Sequence, residues 1–292
     1  MKVFGLVTFL VFGSVSLFSQ EKASATSLVD DMNFYADIMI NALEPSTRVR
    51  AAQTFDNLFQ DYLEKDNSFE KEEVFHKYIS VLDAPDDDFR LISWLIKGDQ
   101  EQYDFRGFIS RPNGEHISFH RTTEVTEELV YSQSTDKEWY GCLYYRIMKG
   151  ERDGEYIVFG FDPNGMYDNQ KLVDHMLVTN DGVTFGQEIF EDKDNRETYM
   201  NRLVLTYSSD ASVNLNYNVN MKMIVHDHLA QVMGFQEGQG PTHIPDGTYE
   251  GYFLENGKWL YKEKLFNHVY KDGEAPRPKP VFHESNEEDK SK

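Results

Sequence analysis

Beyond Arg202 the chain alternates with little interruption. Apolar side chains stand at Val213, Leu215, Tyr217, Val219, Met221, Met223 and Val225, with Asn214, Asn216, Asn218, Asn220, Lys222, Ile224 and His226 between them. A period of two is that of a strand with one face buried and one face wet. Leu203, Leu205 and Tyr207 keep the alternation on the near side of Ser208-Ser209-Asp210, which predicts a hairpin across that turn. The stretch closes on His226-Asp227-His228-Leu229, the densest group of potential ligands in the chain. Carried forward, the apolar register places Asp227 inside, where a carboxylate needs donors, and both histidines outside.

Upstream the period is helical. Leu28, Met32, Tyr35, Met39 and Ala42 step by three and four, and Pro45 disfavours a helical residue at Glu44, so the first helix should stop there. Ser46 is placed to cap a second helix with a stripe of Val49, Ala52, Phe55, Phe59 and Tyr62, widened by Leu58 and Leu63. Phe75, Ile79 and Leu82 extend the pattern to a third, weaker helix. The period changes at Ala84-Pro85-Asp86-Asp87-Asp88. Strands are predicted over 89–96, 103–110, 116–120, 140–148, 156–161, 172–179, 183–185, 203–207, 213–219, 221–226, 249–254 and 258–261. Turn signals such as Asn180-Asp181-Gly182 and Glu255-Asn256-Gly257 make the connections short, so neighbouring strands run antiparallel and no helical crossover supports a parallel sheet. The expected fold is α+β: N-terminal helices packed on a large antiparallel β meander that curls, splits into a sandwich or closes like a barrel. The expected organisation is a signal peptide over 1–20, a helical segment over 21–84, a β domain over 85–270 and a disordered Pro-rich, acidic tail over 271–292.

Composition sharpens this picture at three points. With 21 Phe and 17 Tyr in 292 residues, a packed core is required. A formal charge of −21 repels phosphate backbones and anionic lipid, which argues against nucleic acid as a partner. The lone Cys142 excludes an intrachain disulfide and a Cys-rich metal site, and its Trp-Tyr-Gly-Cys-Leu-Tyr-Tyr setting reads as core. Lys2, the apolar run from Val3 to Leu17 and the small residues before Glu21 form a secretory signal, with cleavage expected near Gln20. The mature chain is then expected to be periplasmic or extracellular, with no membrane association.

Chemistry is sparse. In a strand, His226 and His228 share a face and can reach one metal ion, with a third ligand to come from a neighbouring strand, but the register points them outward. Gly160-Phe161-Asp162-Pro163-Asn164-Gly165-Met166-Tyr167-Asp168-Asn169-Gln170-Lys171 resembles part of a calcium loop, yet its spacing and missing closing Glu read as a structured loop with Asx turns. Signatures of serine hydrolases of the Gly-x-Ser-x-Gly type, zincins, phosphate loops and dinucleotide folds are missing from the sequence. No metal, cofactor or catalytic residue is therefore expected. The candidate ligand-binding residues are Asp162, Asn164, Asn169, Lys171, Asp227 and His228, and the wet Asn214-Asn216-Asn218-Asn220 face is a further place for a sugar.

Phe89-Arg90-Leu91-Ile92-Ser93-Trp94, Tyr103-Asp104-Phe105-Arg106-Gly107-Phe108-Ile109, the Gly160–Lys171 segment, Asp227-His228-Leu229, Pro245-Asp246-Gly247-Thr248-Tyr249 and Gly257-Lys258-Trp259 together resemble a group of exported proteins of Bacteroidota. The resemblance covers most of the mature chain and implies export but no activity; His226 stands where that group usually has an aromatic. The first functional expectation is a non-catalytic module that binds a ligand or protein partner. The alternative is a hydrolase or metal-assisted enzyme using Asp227, His228 and the Asp162 loop, and convergence of those groups in one pocket discriminates the two.

Overall fold

The computed structural model describes residues 15–64, 75, 77–99, 102–124 and 126–265, with the side chains of the first helix described from Leu28 onward. Residues 1–14 of the predicted signal peptide, and the predicted tail over 271–292, lie outside the described residues.

Two helices open the chain, α1 (Val15–Asn41) and α2 (Pro45–Leu63), and they meet one face of the first sheet. That sheet is β1 (Ile79–Asp83), β2 (Arg90–Lys97), β3 (Tyr103–Ser110) and β4 (His116–His120), in chain order and antiparallel throughout. Alternation sorts its side chains: Ile92, Trp94, Ile96 and Phe108 meet Met32, Met39, Phe55 and Phe59 of the helices, while Leu91, Leu95, Phe105 and Ile109 meet the second sheet. Burial of each large apolar side chain contributes roughly 1.5–3 kcal/mol, so the helix pair is held by hydrophobic area.

The short helix α3 (Glu127–Val130), capped by Thr126, leads to the second sheet. Its order is β5 (Ser134–Thr135), β9 (Val183–Phe185), β8 (Asp168–Val178), β7 (Glu155–Asp162) and β6 (Leu143–Lys149). β12 (Arg202–Ser208) pairs with the N-terminal half of β8, beside β9 on the C-terminal end. The third sheet is β11 (Tyr199–Met200), β10 (Phe190–Glu191), β16 (Lys258–Lys262), β15 (Pro241–Glu255), β14 (Met223–Met233) and β13 (Leu215–Asn218). Ile157, Phe159, Val173, Leu203 and Leu205 of the second sheet bury against Leu215, Ile224, Tyr252 and Trp259 of the third. The layers are thus helices, sheet, sheet and sheet, and among the described residues the sheets do not close into a barrel. Between the first and second sheets the buried Arg202 donates to Asp174 at 2.9 Å and to the Leu129 carbonyl, and Tyr140 donates to the same Asp174 oxygen at 2.9 Å.

The α+β expectation holds, and several local expectations are corrected. Ile79 and Leu82 lie in β1, not in a third helix; pairing with Trp94 to Arg90 outweighs a chance helical spacing, and the β part begins at Ile79 instead of residue 85. In α2 the N-cap is Glu44 with Pro45 in the first turn, and Val49 is 47% exposed. Arg48 is buried in its place, because its guanidinium donates to the carbonyls of Ala42, Leu43, Lys97 and Gly98. The Ser208-Ser209-Asp210 turn does not make a hairpin: β12 joins β8 and the chain crosses to the third sheet. One strand pair, β10 with β16, is parallel; it joins segments far apart in sequence, so no local crossover is needed.

The most consequential correction is the parity of β14. β13 and β14 are joined by a four-residue turn, Val219 to Lys222, and Leu215 pairs with His226. Partners across a ladder share a face, so the even residues Ile224 and His226 join Leu215 on the buried face, and the single alternation assumed from 213 to 226 breaks at the turn. His226 is 3% exposed where the uninterrupted register placed it outside. The asparagine row is broken too: Asn218 accepts the Asn220 and Met221 amides within the turn, and Asn216 accepts from Arg146.

Candidate functional site

The Gly160–Lys171 segment is a hairpin instead of a free loop. Gly160 to Asp162 end β7, Asp168 to Lys171 begin β8, and Asp162 stands opposite Gln170. The turn between them is made by Asn164 and Gly165, both at positive φ (35° and 98°), where a short amide and a glycine are the residues that fit. Asp162 Oδ1 accepts the Asn164 amide at 2.9 Å, which closes the Asx turn.

Asp162 is fully buried and meets the Arg121 guanidinium at 3.2 Å, as an ion pair outside hydrogen-bond alignment. Burial pushes the Asp162 carboxyl above the ordinary carboxylate range, opposed by Arg121 and by the Asn164 amide. Arg121 also donates to the Tyr103 carbonyl at 3.3 Å and lies over the Phe105 ring. Above this pair opens a cleft of about 460 Å³, lined by Gln102, Tyr103, Arg121, Thr122, Thr123, Glu124, Asn164 and Gly165. Its walls are mostly neutral hydrogen-bonding groups, and its one cation is already committed to Asp162.

The other predicted residues lie elsewhere. Lys171 pairs with Phe161, one position out of step with Asp162, so it projects from the opposite face of the second sheet, as does Asn169. There the Lys171 ammonium donates to the Val213 carbonyl at 2.6 Å; burial pushes its pKa down, and Asp227 pulls it up. Asn169 pairs with Tyr207 of β12. Asp227 is buried as expected and accepts the Asn214 amide at 2.6 Å. His228 lies in mid-strand at a register shift, not at a strand end, and its Nδ1 meets Asp246 at 2.7 Å. The six residues therefore fall into separate places: Asp162 and Asn164 at the cleft, Lys171 between the second and third sheets, Asp227 on the Asn214 amide at the end of the β13–β14 ladder, and Asn169 and His228 apart.

Arg121, Gln102 and Glu124 were missed as site residues. The available signal is Arg121-Thr122-Thr123-Glu124, a polar run directly after a strand. A second cleft, about 310 Å³, also escaped sequence reading; it is lined by Arg152, Glu155, Ile157, His175, Ile189 and Trp259 among others. His175 Nε2 lies 3.4 Å from Glu155 Oε1. Burial pushes the His175 pKa down, against the pull of Glu155 and Asp174. Asp174-His175 inside an otherwise apolar strand was the hint. Among the described residues no group of three or more His, Cys, Asp or Glu is placed to hold a metal ion, and no helix is long and apolar enough to cross a membrane. No protein-family model matches the chain, and neither a curated protein nor a solved structure matches it.

Proposed function

We propose that the chain is an exported, non-catalytic binding protein whose ligand is a small, uncharged, polyhydroxylated molecule held in the Arg121–Asn164 cleft. The observation that carries this reading is the cleft's construction. A buried ion pair and an Asx turn fix its base, and amide, hydroxyl and phenol groups supply paired donors and acceptors of the kind a sugar needs. Export rests on the Lys2 and Val3–Leu17 pattern, and it agrees with the resemblance to exported Bacteroidota proteins. The hydrolase alternative required Asp162, Asp227 and His228 to converge. Asp162 faces the first sheet, while Asp227 lies in the third sheet on the Asn214 amide and His228 on Asp246, which favours binding over catalysis.

Calorimetric titration of the full chain with a panel of neutral mono- and disaccharides tests it. At least one sugar is expected to bind, with affinity lowered tenfold or more by Asn164→Ala or Gln102→Ala and unchanged by His228→Ala. A panel with no binder, or binding indifferent to both cleft substitutions, overturns the assignment.

A further inference from the structure

A groove of about 340 Å³ runs between α2 and the β3–β4 side of the first sheet, and it shares no residue with either cleft above. Its floor is aromatic: the Phe59 ring centre lies 4.8 Å from Trp94 and 5.2 Å from Phe108. Gly107 separates Trp94 and Phe108 from the far side of the sheet, where the ring of its strand partner Phe119 packs on Trp139 and Phe185; a Cβ at 107 would stand 1.9 Å from that ring. Opposite charges stand at two points of the wall, Asp56 from α2 and Arg106 from β3.

Two buried polar atoms of this groove have no hydrogen-bond partner, Asp56 Oδ1 and Trp94 Nε1. Trp94 is 3% exposed, so its N–H has given up water without replacement. An acceptor and a donor left unpaired in one place cost free energy that a ligand can recover. Arg106 does not satisfy Asp56, because its guanidinium is held by Asp104 at 2.5 Å and by the Phe105 carbonyl at 3.1 Å. Burial pushes the Asp56 carboxyl up, with Arg106 acting against it only as a nearby charge.

We propose that this groove binds a small zwitterion with an apolar side chain, of the α-amino acid class. The ligand ammonium donates to Asp56, its carboxylate accepts from the Trp94 N–H within the field of Arg106, and its side chain lies on the Phe59 and Phe108 rings. A ligand with only one of the two charges leaves one buried atom unpaired. The volume lies within the range of small-molecule pockets.

The probes are L-phenylalanine, phenethylamine and 3-phenylpropionate, titrated calorimetrically into the full chain. Phenylalanine is expected to bind, and the two singly charged analogues at least tenfold more weakly. Asp56→Asn and Trp94→Phe should each weaken phenylalanine at least tenfold with circular dichroism unchanged, and Asn164→Ala in the other cleft should leave it unaltered. No phenylalanine binding at millimolar concentration, phenethylamine or phenylpropionate binding as tightly, or a folded Asp56→Asn variant of wild-type affinity overturns the proposal. The ligand comparison needs no variant and stands even if the substitutions impair folding.

Discussion

Asp227 accepts the Asn214 amide at 2.6 Å across the β13–β14 ladder, and its own amide donates to the Asn214 carbonyl at 3.1 Å. Asp227→Ala leaves the Asn214 N–H without that acceptor and is expected to lower stability by about 1–3 kcal/mol, read from the urea unfolding midpoint. A midpoint unchanged in the variant contradicts this. Its neighbour His226 behaves otherwise than an outward strand residue should. A carbonyl only accepts, so the 2.9 Å contact to the Asp227 carbonyl places the proton on Nδ1 and leaves the buried Nε2 bare. Burial holds the His226 pKa below its ordinary 6.5, although the Asp227 carbonyl and Glu250 pull it up. The unfolded chain therefore takes up a proton that the folded ring refuses. Stability contributed by the neutral ring is present above about pH 6.5 and is lost as pH falls toward the folded value. His175 acts in the same direction, and the raised carboxyls of Asp56 and Asp162 act in the opposite one. Comparing melting temperatures of wild type and His226→Phe between pH 7.5 and 5.5 isolates the term. The variant is expected to lose less on acidification, and parallel curves would remove His226 from the account.

At the scale of elements, a side chain's place follows from the partners its element finds. α2 shows this at adjacent residues: Val49 continues the apolar stripe and is exposed, while Arg48 is buried because four carbonyls from the end of α1 and the β2–β3 turn converge on it. Arg48→Ala is expected to cost about 1.5–3 kcal/mol, the range for hydrogen bonds to a charged group. Val49→Lys should stay within about 0.5 kcal/mol. Chemical denaturation of the two variants checks the pair, and equal losses would mean that the helix is held by its stripe alone. β1 and β12 make the same point. Their strand character is legible or half-legible in the residues, yet the spacing of Phe75, Ile79 and Leu82 is also helical and the Ser208-Ser209-Asp210 turn points β12 to the strand after it instead of to β8. The pairings Ile79 with Trp94 and Leu203 with Val173 join residues that sequence alternation does not connect. The hairpin turn before β14 brings His226 to the buried face, since an even number of turn residues exchanges the two faces of the following strand.

For the whole molecule, the helix pair is one layer of a stack and not a separate unit. Removing it uncovers Ile79, Ile92, Trp94, Ile96 and Phe108 on one continuous face. A chain beginning at Tyr78 is therefore expected to self-associate in size-exclusion chromatography, and a monodisperse monomer would show that the sheets stand alone. The residues alone determined the α+β class, most strand positions and the core status of Cys142, because these depend on short-range period and on desolvation cost; Asp227 is buried although the alternation that placed it inside breaks at the turn, because it is held on the Asn214 amide across the ladder. Within the candidate site they also determined the Asp162–Asn164 turn, whose Asx bond is local in sequence. Only the tertiary structure decided that Arg121 meets Asp162, that Lys171 and Asp162 leave opposite faces of one sheet, and that Asp56, Trp94 and Arg106 share a groove. Those placements come from which strands pair and how the layers stack, and contacts between residues distant in the chain leave no periodic trace in it.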